Sequence, residues 1–128
     1  MEKQVIQTSE APAPIGPYSQ AIKAGNTLYV SGQIALVPGK DQLSNESIEA
    51  ETEQVMKNLQ AVLQAAGANF SHVAKTTIFL SSMDHFALVN EVYGRYVSAP
   101  YPARETVAVK GLPRGVHVEI SMIAVLPA

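Results

Sequence analysis

Residues 116–126 read V-H-V-E-I-S-M-I-A-V-L, and this stretch decides the fold. Successive side chains of a β-strand point to opposite faces of a sheet, so every second residue shares a face. One face is apolar throughout: Val118, Ile120, Met122, Ala124 and Leu126. The other face is polar at its start and apolar at its end: His117, Glu119, Ser121, Ile123 and Val125. The pattern predicts a strand whose first face packs beneath helices.

A long amphipathic helix is available to cover that face. Residues 47–66 carry apolar side chains at spacings of three or four, which is the helical period. Asn45 or Ser47 can cap the start of this helix, because both side chains accept hydrogen bonds from free backbone amides. Gly67 is well placed to end it. The sequence therefore predicts one helix with one face to bury.

A second helix and four further strands complete the predicted elements. The second helix is expected to begin at Asp84, as its cap, and to run to about Val97, where prolines follow. Gly25-Asn26 is a plausible hairpin turn between the first two strands. The further strands are predicted at residues 19–24, 27–32, 73–82 and 104–109.

The order of these elements is strands, helix, strand, helix and two strands. It predicts an α+β sandwich with both helices on one face of the sheet. The chain has 128 residues, which suits one domain spanning residues 1–128. The half-apolar second face of the last strand has no helix left to cover it. Charged residues are only 16% of the chain, and interface cores are depleted in charge. We therefore expect this face to be an oligomer interface with a polar pocket at its edge.

The candidate chemistry depends on how the last two strands pair. If they form an antiparallel hairpin centred on residues 112–113, Arg104 lies opposite Ser121 and Thr106 lies opposite Glu119. Directly opposed residues share a face, so these four side chains would form a polar cluster on the face without helices. A register slip of one residue would send Glu119 to the other face.

An arginine and a glutamate in one pocket allow two interpretations. The guanidinium of Arg104 offers a rigid fork of donors that matches a carboxylate, and the carboxylate of Glu119 can take a proton from water. The alternative is a purely structural ion pair between these two residues. The sequence pattern leaves both interpretations open.

Five sequence blocks resemble the reactive intermediate deaminase family (RidA, also called YjgF), in the family's order and over nearly the whole chain. The blocks are A-P-I-G-P-Y-S-Q at 13–20, S-G-Q at 31–33, F-A-L-V-N-E-V-Y at 86–93, P-A-R at 102–104 and L-P-R-G-V-H-V-E-I at 112–120. The resemblance implies a chorismate-mutase-like sandwich with a mixed sheet. It also implies a homotrimer with a central barrel-like core and with sites at the subunit boundaries.

The resemblance also implies roles for individual residues. Arg104 matches the arginine that holds the substrate carboxylate, and Glu119 matches the glutamate that activates water. Tyr18 matches a tyrosine that lines the cleft. The residues expected to bind substrate or support the pocket are Ser31, Gly32, Asn90 and Thr106. Thr106 stands where archetypal members have cysteine, which affects the expected substrate range.

The reaction implied by the resemblance is hydrolysis of 2-iminopropanoate and 2-iminobutanoate to 2-keto acids and ammonia, without a cofactor. One alternative is a regulatory or chaperone-like protein that binds small carboxylates. Another is RNA-directed activity, since family members are often labelled endoribonucleases or translation inhibitors. Nine Lys and Arg against eleven Asp and Glu argue against nucleic acid, which favours a basic surface.

Several classes of site are disfavoured by composition. There is no cysteine, and the three histidines lie too far apart in the sequence to suggest a metal site. The first residues lack the apolar stretch of a secretory signal, and no window has the length of a membrane span. We therefore expect a cytoplasmic protein that does not enter the membrane.

Overall fold

The computed structural model describes residues 2–127, which form a six-stranded sheet with two helices. The sheet has the order β1-β2-β3-β6-β4-β5. The strands are β1 (Lys3–Ile6), β2 (Ala21–Ala24), β3 (Thr27–Gln33), β4 (Val73–Leu80), β5 (Ala103–Ala108) and β6 (Val118–Val125). The helices are α1 (Ile48–Ala65) and α2 (Phe86–Gly94). β1 was not predicted, because its four residues carry too short a pattern.

The sheet is mixed, and its pairing corrects one expectation. β4 and β5 are parallel, and all other neighbours are antiparallel. The predicted hairpin of the last two strands is wrong, because β4 lies between β5 and β6. Burial explains this order. Alternate residues of β6 are buried and it takes a central position, whereas β5 is exposed along nearly its whole length and takes the edge.

Both helices cover the same face of the sheet, as predicted. The core between them is a single cluster in which the apolar stripe of β6 meets α1 and α2. Its fully buried members include Leu28, Met56, Leu59, Leu63, Ile78, Leu80, Ile120 and Met122. The other face has no helix over it, and Tyr29, Val107 and Val125 are exposed there.

The ends of the helices agree with the sequence in one case and differ in the other. The side chain of Ser47 accepts from the amide of Ala50, so it is the cap of α1. Gly67 follows the helix with φ +75°, the conformation that favours glycine. Before α2 the capping oxygen belongs to Ser82 and not to Asp84, and a 3₁₀ turn precedes the helix.

α2 also ends three residues earlier than expected. The amides of Arg95 and Tyr96 donate to carbonyls three residues back, which closes the helix in a tighter turn.

Within residues 2–127, neither helix has the length and hydrophobicity that crossing a membrane requires.

Candidate active site

Arg104 and Glu119 lie on opposite faces of the sheet. Arg104 is in register with Thr76 on β4, and Thr76 is in register with Met122, so Arg104 belongs to the helix-covered face. Glu119 is in register with Phe79, on the uncovered face. The predicted cluster within one chain is therefore wrong, and the alternative of a structural ion pair between these two residues is also ruled out within one chain. The insertion of β4 between the two strands changes which residues share a face.

Arg104 is the centre of the first group of site residues, which we call the arginine half-site. Its Nη1 donates to Oδ1 of Asn90 at 2.6 Å. The guanidinium carbon lies 5.2 Å from the ring centroid of Tyr93 and 5.8 Å from that of Phe86. Arg104 forms no ion pair with any residue of the described chain. Its charge has an amide and two aromatic rings for partners, so it is available to an anion.

The fold holds this half-site in place from two sides. Tyr93 is buried and its hydroxyl donates to the Oγ1 of Thr76 at 3.0 Å, which fixes the ring on the sheet. Arg104 lines an open cleft of about 480 Å³ with Asn90, Tyr93, Gly94, Val97, Tyr101 and Pro102. Thr106 follows on the same face of β5, and its Oγ1 is buried without a hydrogen-bond partner among the described residues.

Glu119 is the centre of the second group, which we call the glutamate half-site. β3 pairs Val30 with Met122 and then Gln33 with Ile120, so Ser31 and Gly32 form a bulge beside Glu119. The bulge brings the backbone of β3 against the Glu119 side chain.

Ser31 and Tyr18 complete the polar part of this half-site. The Ser31 hydroxyl donates to the carbonyl of Ser19 at 2.6 Å, which ties the bulge to the preceding loop. In that loop the amide of Tyr18 donates to the carbonyl of Gly16 at 2.8 Å, and this turn leaves the Tyr18 ring half exposed. Glu119, Ser31 and Tyr18 line a pocket of about 350 Å³ whose other walls are mostly apolar: Pro12, Ala13, Ile15, Ile34, Leu36 and Pro113, with Gly32 and Gln33.

This chain is similar to known proteins in both sequence and fold. The family model described as Endoribonuclease L-PSP matches residues 8–126. The chain belongs to this family. The mouse 2-iminobutanoate/2-iminopropanoate deaminase is 47% identical over 123 residues, which is 96% of this chain and 91% of the mouse protein.

Two solved structures are also similar to this chain. RidA from the Antarctic bacterium Psychrobacter sp. PAMC 21119 has a TM-score of 0.92 and 45% identity, covering 96% of this chain and 99% of that one. E. coli TdcF with bound serine has a TM-score of 0.91 and 33% identity, covering 97% and 99%. The predicted family resemblance is confirmed, and with it the α+β fold with a mixed sheet and two helices.

Burial changes the chemistry of Glu119 in this L-PSP chain. The side chain is half-buried in the pocket and forms no ion pair among residues 2–127. Loss of contact with water disfavours the charged carboxylate, which raises the pKa of Glu119 above its usual value. A carboxylate with a raised pKa accepts a proton more readily near neutral pH than an ordinary one, which suits a general base.

Among residues 2–127, no three histidine, aspartate or glutamate side chains come close enough to hold a metal ion. His85 and His117 stack edge to face at 5.4 Å. His72 lies elsewhere, in a 3₁₀ turn capped by Asn69, and its Nδ1 accepts from the amide of Asn69 at 3.0 Å.

Two aromatic residues of the arginine half-site were not predicted as site residues. Phe86 and Tyr93 follow the helical spacing of apolar residues, a pattern that favours core packing. Together with Asn90 they lie at intervals of four and three residues, so they share the helix face that meets Arg104. Such a stripe can be recognised only when the strand beside the helix is known.

Gly32→Ala is expected to displace the Glu119 carboxylate. A Cβ at position 32 would lie 2.9 Å from Cδ and Oε2 of Glu119, closer than carbon contacts allow. We expect the imine hydrolysis proposed below to fall about tenfold or more, with little cost in stability, because the displaced atoms are the movable end of a side chain. Gly111→Ala is the control, because a Cβ there meets no atom within 4 Å. Parent activity in Gly32→Ala would show that the position of Glu119 is unimportant.

Proposed function

We propose that this protein hydrolyses 2-imino acids, such as 2-iminopropanoate and 2-iminobutanoate, to 2-keto acids and ammonia. One observation carries the proposal: among residues 2–127, Arg104 has no ion-pair partner on one face of the sheet, and Glu119 has none on the other. Each half-site lacks the group that the other supplies. The name of the mouse relative, 2-iminobutanoate/2-iminopropanoate deaminase, supports the same reaction.

The two half-sites would meet in a homotrimer. Arg104 is on β5, the edge strand, where a neighbouring subunit can lie directly against it. Glu119 is on the face that no helix covers, and the exposed Tyr29, Val107 and Val125 give that face an apolar surface to bury. Three subunits with these faces turned inward would form a barrel-like core with three clefts between neighbours. Each cleft would then hold Arg104 from one subunit and Glu119 from the next.

The proposed mechanism uses positioning and proton transfer. The guanidinium of Arg104 holds the substrate carboxylate with two parallel hydrogen bonds, and Asn90 keeps the guanidinium in place. Glu119 holds a water near the imine carbon. Tyr18, Ser31, Gly32 and Thr106 would shape the walls around it. The pocket walls exclude bulk water from the substrate's apolar side chain.

The proposed steps balance as follows. Water attacks the protonated imine carbon, the C=N π electrons move to nitrogen, and Glu119 takes one proton from the attacking water. Glu119 returns that proton to nitrogen, and the C–N bond breaks as ammonia leaves. The new hydroxyl becomes the keto oxygen, and its proton passes through Glu119 to ammonia. The products are a 2-keto acid and ammonium, and no cofactor is required because the imine carbon is already electrophilic.

The direct experiment follows an imine made in solution. A pyridoxal-phosphate dehydratase acting on serine generates 2-aminoacrylate, and loss of the resulting imine is monitored with and without this protein. We expect faster loss of imine that is proportional to the protein concentration. If the loss is no faster than in buffer, while the protein still binds pyruvate, the chain is a carboxylate-binding protein and not a deaminase.

The family description Endoribonuclease L-PSP raises RNA cleavage as another outcome. Single-stranded nucleic acid is bound by basic grooves with stacked aromatic rings. The residues that line the two half-sites include one cation, Arg104, and the net charge is −2. An RNA substrate in the same preparation is therefore expected to remain intact, and cleavage lost on Arg104→Ala would contradict this.

A further inference from the structure

We propose that Glu51 is a positioning residue for Glu119, acting through the backbone at the start of β6. The effect of Glu51 on the reaction rests on the proposed function. Its effect on the Glu119 side chain does not depend on that function and can be measured separately. Glu51 lies on α1, outside both half-sites.

Glu51 is a buried carboxylate with three partners at the start of β6. Its side chain is 1% exposed. Oε2 accepts from the amides of His117 at 2.7 Å and Val118 at 2.9 Å, and Oε1 lies 2.9 Å from Nδ1 of His117. A buried carboxylate is stable only when such donors surround it. These contacts therefore fix the backbone of residues 117 and 118 to the first turns of α1.

This anchor replaces a missing strand partner. On its β3 side, β6 is paired from Val125 only as far as Ile120. Val118 and Glu119 are paired with β4 alone. A strand end with one neighbour is freer to move than the middle of a sheet. Glu51 holds the residues immediately before Glu119.

The carboxyl group of Glu119 lies directly over the backbone of Gly32. Its Cδ and Oε2 pack over Gly32 so closely that a Cβ there would overlap them. A shift of the backbone at residue 118 would move the carboxylate off the bulge and toward water. In an active site, misplacement by about 1 Å can lower the rate by as much as a hundredfold. Tyr18 is the other titratable residue lining this pocket.

Two substitutions distinguish the effect of the length of the Glu51 side chain from the effect of its charge. Glu51→Gln keeps the length: its oxygen can accept from both amides, and its NH₂ can donate to Nδ1 of His117. Glu51→Asp keeps the charge and is one methylene too short to reach. We expect kcat to fall about tenfold in Glu51→Asp with KM within about twofold, because Arg104 still holds the carboxylate. Glu51→Gln is expected to retain kcat within about threefold.

The second readout is the titration of Glu119 itself, followed by ¹³C NMR of labelled glutamate side chains in the assembled protein. In Glu51→Asp the Glu119 carboxyl moves toward water, so its pKa is expected to fall toward the usual value and the acid limb of kcat/KM to move to lower pH. In Glu51→Gln both should match the parent. Glu49→Asp is the control, because Glu49 is an exposed residue of the same helix that contacts Arg95.

Three results would overturn the role of Glu51. One is a folded Glu51→Asp variant with parent kcat and parent Glu119 titration. Another is a lower melting temperature with neither quantity changed, which marks a purely structural residue. The third is equal loss of kcat in Glu51→Gln and Glu51→Asp. If the parent protein fails to hydrolyse imines, the NMR titration still decides whether Glu51 positions Glu119.

Discussion

Arg104→Ala is expected to lower kcat/KM for imine hydrolysis by about a hundredfold or more. Each hydrogen bond between charged groups contributes about 1.5–3 kcal/mol, and the two proposed bonds to the substrate carboxylate are lost together. Most of the loss should be a rise in KM, since the carboxylate is held in both the ground state and the transition state. Steady-state kinetics with imine generated in solution measures both quantities.

Two further variants make the Arg104 result specific. Arg104→Lys keeps the positive charge but lacks the planar fork of donors, so its kcat/KM should lie between those of the parent and the alanine variant. Arg95→Ala removes an arginine whose partners are Glu49, Glu53 and Glu91, and it should retain parent kcat/KM. If Arg104→Ala and Arg95→Ala behave alike, Arg104 does not hold the substrate.

Glu119→Gln is expected to lower kcat by about 10²–10⁴-fold, the usual contribution of a positioned acid or base. The amide has the same shape as the carboxyl and so preserves the packing over Gly32, but it cannot take a proton from water. KM should change little, because Arg104 is unaffected. Parent kcat in this variant would exclude Glu119 as the base.

The pH profile gives an independent test of the same residue. The base works in its ionised form, and burial raises the pKa of Glu119. The rate of the parent should therefore fall, as the pH is lowered, at a higher pH than for an exposed glutamate. The residual rate of Glu119→Gln should not show this fall at low pH. Glu91→Gln, on the exposed side of α2, should show the same fall as the parent.

The elements of the fold were predictable because each is determined locally. The helical period of α1, its cap at Ser47 and the alternation in β6 are visible in the sequence and are present in the structure. The order of the strands is not a local property. β5 and β6 follow one another in the chain, but β4 separates them because the strand with more buried residues occupies the centre.

The wrongly predicted pairing of β5 and β6 also limited how much of the site could be predicted. Arg104 and Glu119 were both identified as candidates, but their grouping on one face depended on a hairpin that does not form. With β4 inserted, Arg104 joins the row of Met122 and Glu119 joins the row of Phe79. No sequence pattern predicts which residues of β5 and β6 share a face when β4 lies between them, because that depends on the register of two separate strand pairs. The placement of the site between subunits was expected from the family resemblance alone.

The most direct test of the proposed site mixes two strongly impaired variants. Arg104→Ala and Glu119→Ala chains are refolded together, so that trimers contain both. A cleft with both groups forms wherever a Glu119→Ala chain supplies Arg104 and its neighbour supplies Glu119, which is one of the four possible neighbour pairs. We expect the equimolar mixture to recover about a quarter of the parent kcat/KM, while each variant alone stays at about a hundredth of it or less. A mixture no more active than the separate variants would contradict a site shared between subunits.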